Sequence, residues 1–164
     1  MSDNTDYYDV PSGRRHLDEV EYMHGVSAPL VAELELSPAT LTGGANTQAL
    51  DFAAALPAGA LLISAWVRGD ALSSSDPNTD GATVTLGPSG GDSDGWMEAA
   101  DLFAAGHRQG APGALWSPLA PVLAAATTPA ATITATGPAA DLGHLSGTAK
   151  LVILYRRTVG EAPE

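Results

Sequence analysis

One short segment carries the residue pattern of a serine nucleophile. Residues 87–91 match G-x-S-x-G, in which a strand-to-helix turn exposes the serine above a parallel sheet. A plausible strand precedes Ser89, and His107 and His144 follow as candidate bases. However, residues 90–95 contain three glycines and cannot begin a helix promptly, and the chain lacks the strand–helix alternation of a parallel sheet. We expect a flexible hairpin loop, so a hydrolase built on Ser89 is the least favoured hypothesis.

Residues 76–81 have the pattern of ligands for a hard cation. Oxygen-bearing side chains alternate and a glycine follows them, as in the first half of an EF-hand calcium loop. The twelfth position of that loop needs a bidentate glutamate and is Gly87 here, so Asp92 or Asp94 would have to complete the shell. The pattern predicts calcium ligands at Asp76, Asn78 and Asp80. The alternative is an acidic turn in which these side chains accept from local backbone donors.

The remaining polar and aromatic residues give weaker signals for chemistry. The four histidines have no metal-ligand spacing, and Glu33 with Glu35 fits a solvated strand face better than a glycosidase pair. Three tryptophans, Trp66, Trp96 and Trp116, are expected in the core or at an interface, with a sugar-binding platform as the alternative. We therefore predict a non-enzymatic protein without catalytic residues and, calcium apart, without cofactors.

The charge and composition exclude several classes of partner. Nineteen acidic residues against seven basic ones give a net charge of −12, which repels nucleic-acid backbones and anionic membranes. The chain has no cysteine, no apolar run of membrane-spanning length and no basic, apolar leader at its start. We expect a soluble protein, made in the cytoplasm, that binds neither nucleic acid nor membrane.

Residues 1–27 differ from the remainder and predict an extended N-terminal arm. Their apolar periodicity is weak, yet they contain three tyrosines and a methionine within 23 residues, and such side chains are enriched in interface cores. A frayed terminus is the alternative. The side chains predicted to contact a partner are Tyr7, Tyr8, Arg14, Arg15, Leu17, Tyr22 and Met23.

Residues 28–159 have the pattern of an all-β domain. Apolar and polar residues alternate over residues 30–36, 82–86 and 131–136, and residues 151–155 form the continuous apolar run of a central strand. Residues 96–105 fit either a strand or a short helix. Seven or eight strands separated by Gly and Pro turns predict a β-sandwich or jelly roll, followed by a short tail at 160–164.

Two segments resemble small structural proteins of tailed phages. They are residues 41–67, which include Leu41-Thr42-Gly43-Gly44-Ala45-Asn46, and residues 133–155, which include Ala140-Asp141-Leu142. The resemblance implies a β-sandwich that decorates the outer capsid surface of the virion as a cement protein. It also implies a homotrimer that binds the major capsid protein, with the arm clamping adjacent subunits.

A second hypothesis places the chain in a tail fibre or baseplate. It would then be a carbohydrate- or receptor-binding β-sandwich, possibly supported by calcium. The tryptophans and residues 76–81 motivate this alternative.

Overall fold

The computed structural model describes residues 29–116 and 122–157. The predicted arm and the predicted tail at 160–164 lie outside the described residues, as does the segment 117–121. The all-β prediction is confirmed, and the described chain forms nine strands and two single 3₁₀ turns. The strands are β1 (Leu30–Leu36), β2 (Thr47–Asp51), β3 (Ala60–Gly69), β4 (Ser73–Ser74), β5 (Gly81–Pro88), β6 (Met97–Asp101), β7 (Pro129–Thr136), β8 (Leu145–Ser146) and β9 (Ala149–Arg157). The turns are Ala114–Trp116 and Leu142–His144.

The strands form two antiparallel sheets and a separate pair of two-residue strands. The three-stranded sheet has the order β1-β9-β3, the four-stranded sheet has the order β2-β7-β5-β6, and β4 pairs with β8. β9 is central in its sheet, and its continuous apolar run fits burial on both faces, since Leu151 and Ile153 on the inner face and Val152 on the outer face are all buried. Sheets with one buried face each give the sandwich-like arrangement that the sequence predicted.

The core lies between the inner faces of the two sheets. Alternate residues of each long strand point inward, so Leu151 and Ile153 of β9 oppose Val84 of β5 and Ile133 of β7 in one fully buried cluster. Burying an aliphatic side chain of this size contributes about 1.5–3 kcal/mol. The core is therefore built mainly from aliphatic side chains, in keeping with the scarcity of aromatic residues.

Segment 106–113 joins the two sheets along one side. The backbone of Arg108 exchanges hydrogen bonds of 2.7 and 2.9 Å with Val67 of β3, and the Glu98 amide of β6 donates to the Ala111 carbonyl at 2.8 Å. Gly110 lies so close to the Glu98 carbonyl oxygen that a Cβ atom there would collide with it. The segment therefore covers the outer edges of β3 and β6, which would otherwise be open to pairing.

Antiparallel order gives the sandwich two distinct ends. At the first, here called the arm end, β1 begins at Leu30 and β9 finishes at Arg157, and the loops 52–59, 89–96 and 122–128 lie there. At the opposite end, here called the far end, lie the loops 37–46, 75–80 and 137–148. The arm therefore joins the body at the end opposite the predicted calcium loop.

Candidate interaction surface

The alternating sequence of β1 sets the character of one exposed face. Ala32, Leu34 and Leu36 are paired with inward residues of β9, which leaves Val31, Glu33 and Glu35 on the outer side. The outer face of the three-stranded sheet is thus defined by these residues together with Lys150, Val152, Leu154 and Arg156 of β9 and Leu61, Ile63, Ser64, Trp66 and Arg68 of β3. A β-bulge between Leu62 and Ser64 places an additional residue, Ile63, on β3.

The half of this face toward the far end is charged. Glu33 forms ion pairs with Arg68 and Lys150, the latter at 3.4 Å, so the carboxylate bridges β1, β9 and β3. Beside it lies an open cleft of about 340 Å³, lined by Glu35, Arg68, Gly69, Asp70, Thr148, Ala149 and Lys150. These ion pairs are exposed, so each contributes at most about 1 kcal/mol.

The half toward the arm end is apolar. Val31 and Val122 are 54% and 57% exposed, and Val122 forms a backbone bridge with Leu61 of β3. Among the described residues, the exposed large apolar side chains are Leu30, Val31, Ile63, Leu115 and Val122. All five lie toward the arm end. Leu30 and Val31 begin β1, Ile63 lies in the first half of β3, and Leu115 lies beside Gly95 in an arm-end loop. Apolar residues scattered singly over a surface need no explanation, but a concentration at one end indicates an interaction surface.

The far end is closed by hydrogen bonds that converge on Asp141. Its carboxylate accepts from the Gly44 amide at 2.9 Å and from the Gly143 amide at 2.8 Å, while its own amide donates to the Thr79 hydroxyl at 3.1 Å. One residue thus ties together the three far-end loops. The bonds from Gly143 and Gly44 lower the pKa of the Asp141 carboxyl, because they stabilise its charged form.

The acidic pair on the arm end behaves in the opposite way. The Asp92 carboxyl shares a hydrogen bond with that of Asp94, and this bond, with smaller effects from desolvation and repulsion between the two, raises the pKa of Asp92. Both residues are exposed.

The outer face of the four-stranded sheet is a third surface and is rich in threonine. Thr83 of β5 lies between Thr134 of β7 and Asp101 of β6, and Thr85 lies opposite Thr132 in the next row. These threonines are half-buried. The face is therefore polar and flat, unlike the apolar half of the opposite sheet.

Ser89 lies in a tight turn and not at a strand-to-helix elbow. The Gly91 amide donates to the Pro88 carbonyl at 3.0 Å, and the following residues turn back so that Trp96 bonds to Leu86 at 2.9 Å. His144 is at the far end, the opposite end of the sandwich from Ser89. The structure thus gives the G-x-S-x-G match neither the elbow nor that histidine.

The residues of the predicted calcium loop do not converge as a ligand shell. The Asp76 carboxylate accepts from the backbone and side-chain nitrogens of Asn78, both at 2.9 Å, and Asp80 accepts from the Thr136 hydroxyl at 3.1 Å. Within residues 29–116 and 122–157, no group of three or more histidine or acidic side chains is placed to hold a metal ion. Asp92 and Asp94 cannot complete the shell, because the strand β5 separates their loop from Asp76. The hydrogen bonds of Asp76 are those of the acidic turn, and calcium binding stays a prediction.

The three tryptophans do not share one surface. Trp96 is only 3% exposed and lines a small internal pocket with Trp116, Ile63 and Ala65. Trp66 lies on the outer face of the three-stranded sheet and stacks on His107 with 5.6 Å between ring centroids. Sugar binding therefore has no shared tryptophan platform and stays a prediction.

The predicted partner-binding residues, Tyr7, Tyr8, Arg14, Arg15, Leu17, Tyr22 and Met23, lie outside the described residues. Sequence reasoning overlooked Val31 and Val122 as surface residues and Asp141 as a structural one. Val31 occupies the outer register of an alternating strand, between a leucine and an alanine, and that position was the available signal. Val122 carried no comparable signal, because its exposure depends on a single backbone bridge to Leu61.

Comparison with known proteins gives a likeness of fold. No family model and no curated protein matches the chain. A chain of the cyanophage Pam1 capsid asymmetric unit is similar in structure, with a TM-score of 0.53 and 16% sequence identity over 81% of this chain and 86% of that chain. The fold therefore has a counterpart in a chain of a phage capsid. In the described part of the chain, no helix is long and apolar enough to cross a membrane.

Proposed function

We propose that this chain is a capsid decoration, or cement, protein of a tailed phage. In this proposal it binds the outer capsid surface, stabilises the shell through contacts with the major capsid protein, and forms a homotrimer. The observation that carries the proposal is the match of its whole body to a chain of a phage capsid, since the likeness covers 86% of that chain.

The distribution of polarity supports an oriented attachment. The apolar residues at the arm end offer area that gains free energy when it is buried against a partner, at roughly 25 cal/mol per Å². The far end carries hydrogen-bonded polar loops instead. We therefore propose that the arm end faces the capsid and that the far end faces outward. A net charge of −12 suits a position on the outside of the shell, away from packaged nucleic acid.

The place where the arm joins the body supports a clamp. Residues 1–27 precede Leu30, and Leu30 begins β1 at the arm end. Tyrosine, methionine and arginine side chains of the arm would then act beside the exposed apolar residues of the body. Each of two connected contacts raises the effective concentration of the other, so a body that binds weakly gains much affinity from a second contact made by the arm.

Removal of the arm tests this proposal. We expect the variant lacking residues 1–27 to lose at least about tenfold in affinity for particles stripped of the protein, because avidity from a second linked contact is worth about 10²–10⁴. Co-sedimentation of the purified protein with such particles measures the loss. Circular dichroism and thermal unfolding of the truncated body serve as the control for folding.

Two results would count against the proposal in different ways. Equal particle binding with and without the arm contradicts the clamp and leaves a decoration role for the body. Failure of the full-length protein to bind capsids contradicts the decoration role itself.

A further inference from the structure

We infer that the apolar half of the outer face of the three-stranded sheet is the docking site for the N-terminal arm of a second copy of this chain. The site is formed by Val31, Leu61, Val122, Leu154 and Arg156. The inference rests on the proposed function and goes beyond it by locating where the arm binds and from which copy it comes.

The register of the sheet places these residues together. Val31 of β1 pairs with Leu154 of β9. Leu61 of β3 pairs with Arg156 of β9 on one side and with Val122 on the other side. The valines are more than half exposed, while the same face toward the far end is occupied by the Glu33 ion pairs. The patch therefore has a polar border on one side and the arm end on the other.

The chemistry of the arm matches this patch. Residues 17–23 combine Leu17, Val20, Tyr22 and Met23 with three carboxylates in the same short stretch. Arg156 is half-buried within the patch and gives it a positive charge. An apolar segment with carboxylates would cover the valines and supply acceptors for this guanidinium group.

The direction of the chain favours a second copy over the same copy. β1 runs from the arm end toward the far end, so the arm must enter from beyond the arm end. A residue before proline is restricted to extended conformations, and Pro29 directly precedes β1, which disfavours an immediate reversal onto the same sheet. Fully extended, 27 residues span up to about 90 Å, whereas the ten-residue strand β3 is about 33 Å long. The arm is thus long enough to reach the same patch on a neighbour.

Cross-linking between two differently tagged copies tests this inference, and the natural absence of cysteine makes the chain suitable. One full-length copy carries Tyr22→Cys and the other carries Val122→Cys, and a short bis-maleimide reagent is added to the mixture, both free and bound to particles. The matched control replaces Val122→Cys by Ala139→Cys, since Ala139 is exposed at the far end. We expect a several-fold higher yield of mixed cross-linked pairs with Val122→Cys than with Ala139→Cys.

Charge substitutions in the patch provide the second measurement. Val31→Glu in the Val122→Cys copy should lower the yield several-fold, whereas Ala49→Glu on the outer face of the four-stranded sheet should leave it unchanged. Equal yields at Val122 and Ala139, in solution and on particles, would overturn the inference. So would cross-linking confined within one chain when both cysteines are placed in a single copy. Because particle binding is measured separately, loss of the cross-link with binding intact rejects only the docking site.

Discussion

The two ends of the sandwich differ in how their loops are held and in which side chains they expose. At the far end, the Asp141 carboxylate and close glycine contacts hold three loops against one another. At the arm end, the loops carry exposed apolar side chains and a pair of neighbouring carboxyl groups. The far end is complete within one chain, whereas the arm end has the composition of a surface that is completed by a partner. If the proposed function is correct, the far-end loops serve stability and the arm-end surface serves binding.

The largest expected change in stability comes from a glycine substitution at the far end, with a matched substitution at the arm end. Gly137 at the far end has a φ of +136°, and a Cβ atom there would collide with the Asn78 carbonyl oxygen. We expect Gly137→Ala to destabilise the protein by roughly 3 kcal/mol or more, from backbone strain of about 1–3 and overpacking of about 1–3 kcal/mol. The matched control is Gly90→Ala at the arm end, where φ is +71° and no atom lies within 4 Å of the new Cβ. It should cost only the left-handed conformation, about 1–2 kcal/mol.

Urea unfolding of both variants measures the two free energies. Similar losses for Gly137→Ala and Gly90→Ala would mean that the backbone around Gly137 is no more tightly packed than the backbone around Gly90. A loss at Gly90 that exceeds the loss at Gly137 would reverse the comparison.

A second test removes the carboxylate that joins the far-end loops. The pKa of Asp141 is lowered in the folded protein, so its contribution to stability is fully present above the ordinary pKa of an aspartate. That contribution is lost as the pH falls through the folded-state pKa. We expect Asp141→Asn to lower the melting temperature by several degrees at neutral pH, and the difference from the unmodified protein to shrink in acid.

Thermal unfolding at a series of pH values between neutral and strongly acidic checks this expectation. Asp51→Asn removes the same charge from an exposed position at the arm end and serves as the control. If both variants lose the same stability with the same pH dependence, the loops of the far end are not held by Asp141.

Much of the architecture was predictable from local patterns. The strand predictions for residues 131–136 and 151–155 are correct. Alternation fixes the inward face of β7, and a continuous apolar run is typical of a central strand such as β9. Residues 96–105 were ambiguous, since the aromatic and alanine spacing fits a helix. The structure makes Met97–Asp101 a strand, because β5 and the Ala111 segment supply partners on both sides.

The far-end closure was not predicted from the sequence, although both of its segments were noted for their resemblance to phage proteins. Both quoted segments, 41–46 and 140–142, belong to it, and the Leu142 amide donates to the Ala45 carbonyl at 2.9 Å. Their separation of almost a hundred residues carries no periodic signal, so no local rule predicts the contact. The calcium pattern is a local one and stays a prediction: its oxygen ligands alternate along the chain, while in the structure Asp76 accepts from Asn78, and Asp92 and Asp94 lie at the other end of β5.

The smallest expected effect compares the carboxyl groups at the two ends directly. Asp92 has a raised pKa because Asp94 shares its hydrogen bond, so this interaction favours the folded state at low pH and is lost as the pH rises through the folded-state pKa. That sign is opposite to the sign for Asp141. We expect Asp94→Asn to return the pKa of Asp92 toward its ordinary value, with almost no change in melting temperature at neutral pH. Carbon-13 NMR titration of the aspartate carboxyl groups measures both sites in one experiment. If the pKa of Asp92 stays raised in Asp94→Asn, the shift comes from burial and not from the pair of carboxyl groups. If the pKa of Asp141 is also raised, the two ends do not differ in their electrostatics.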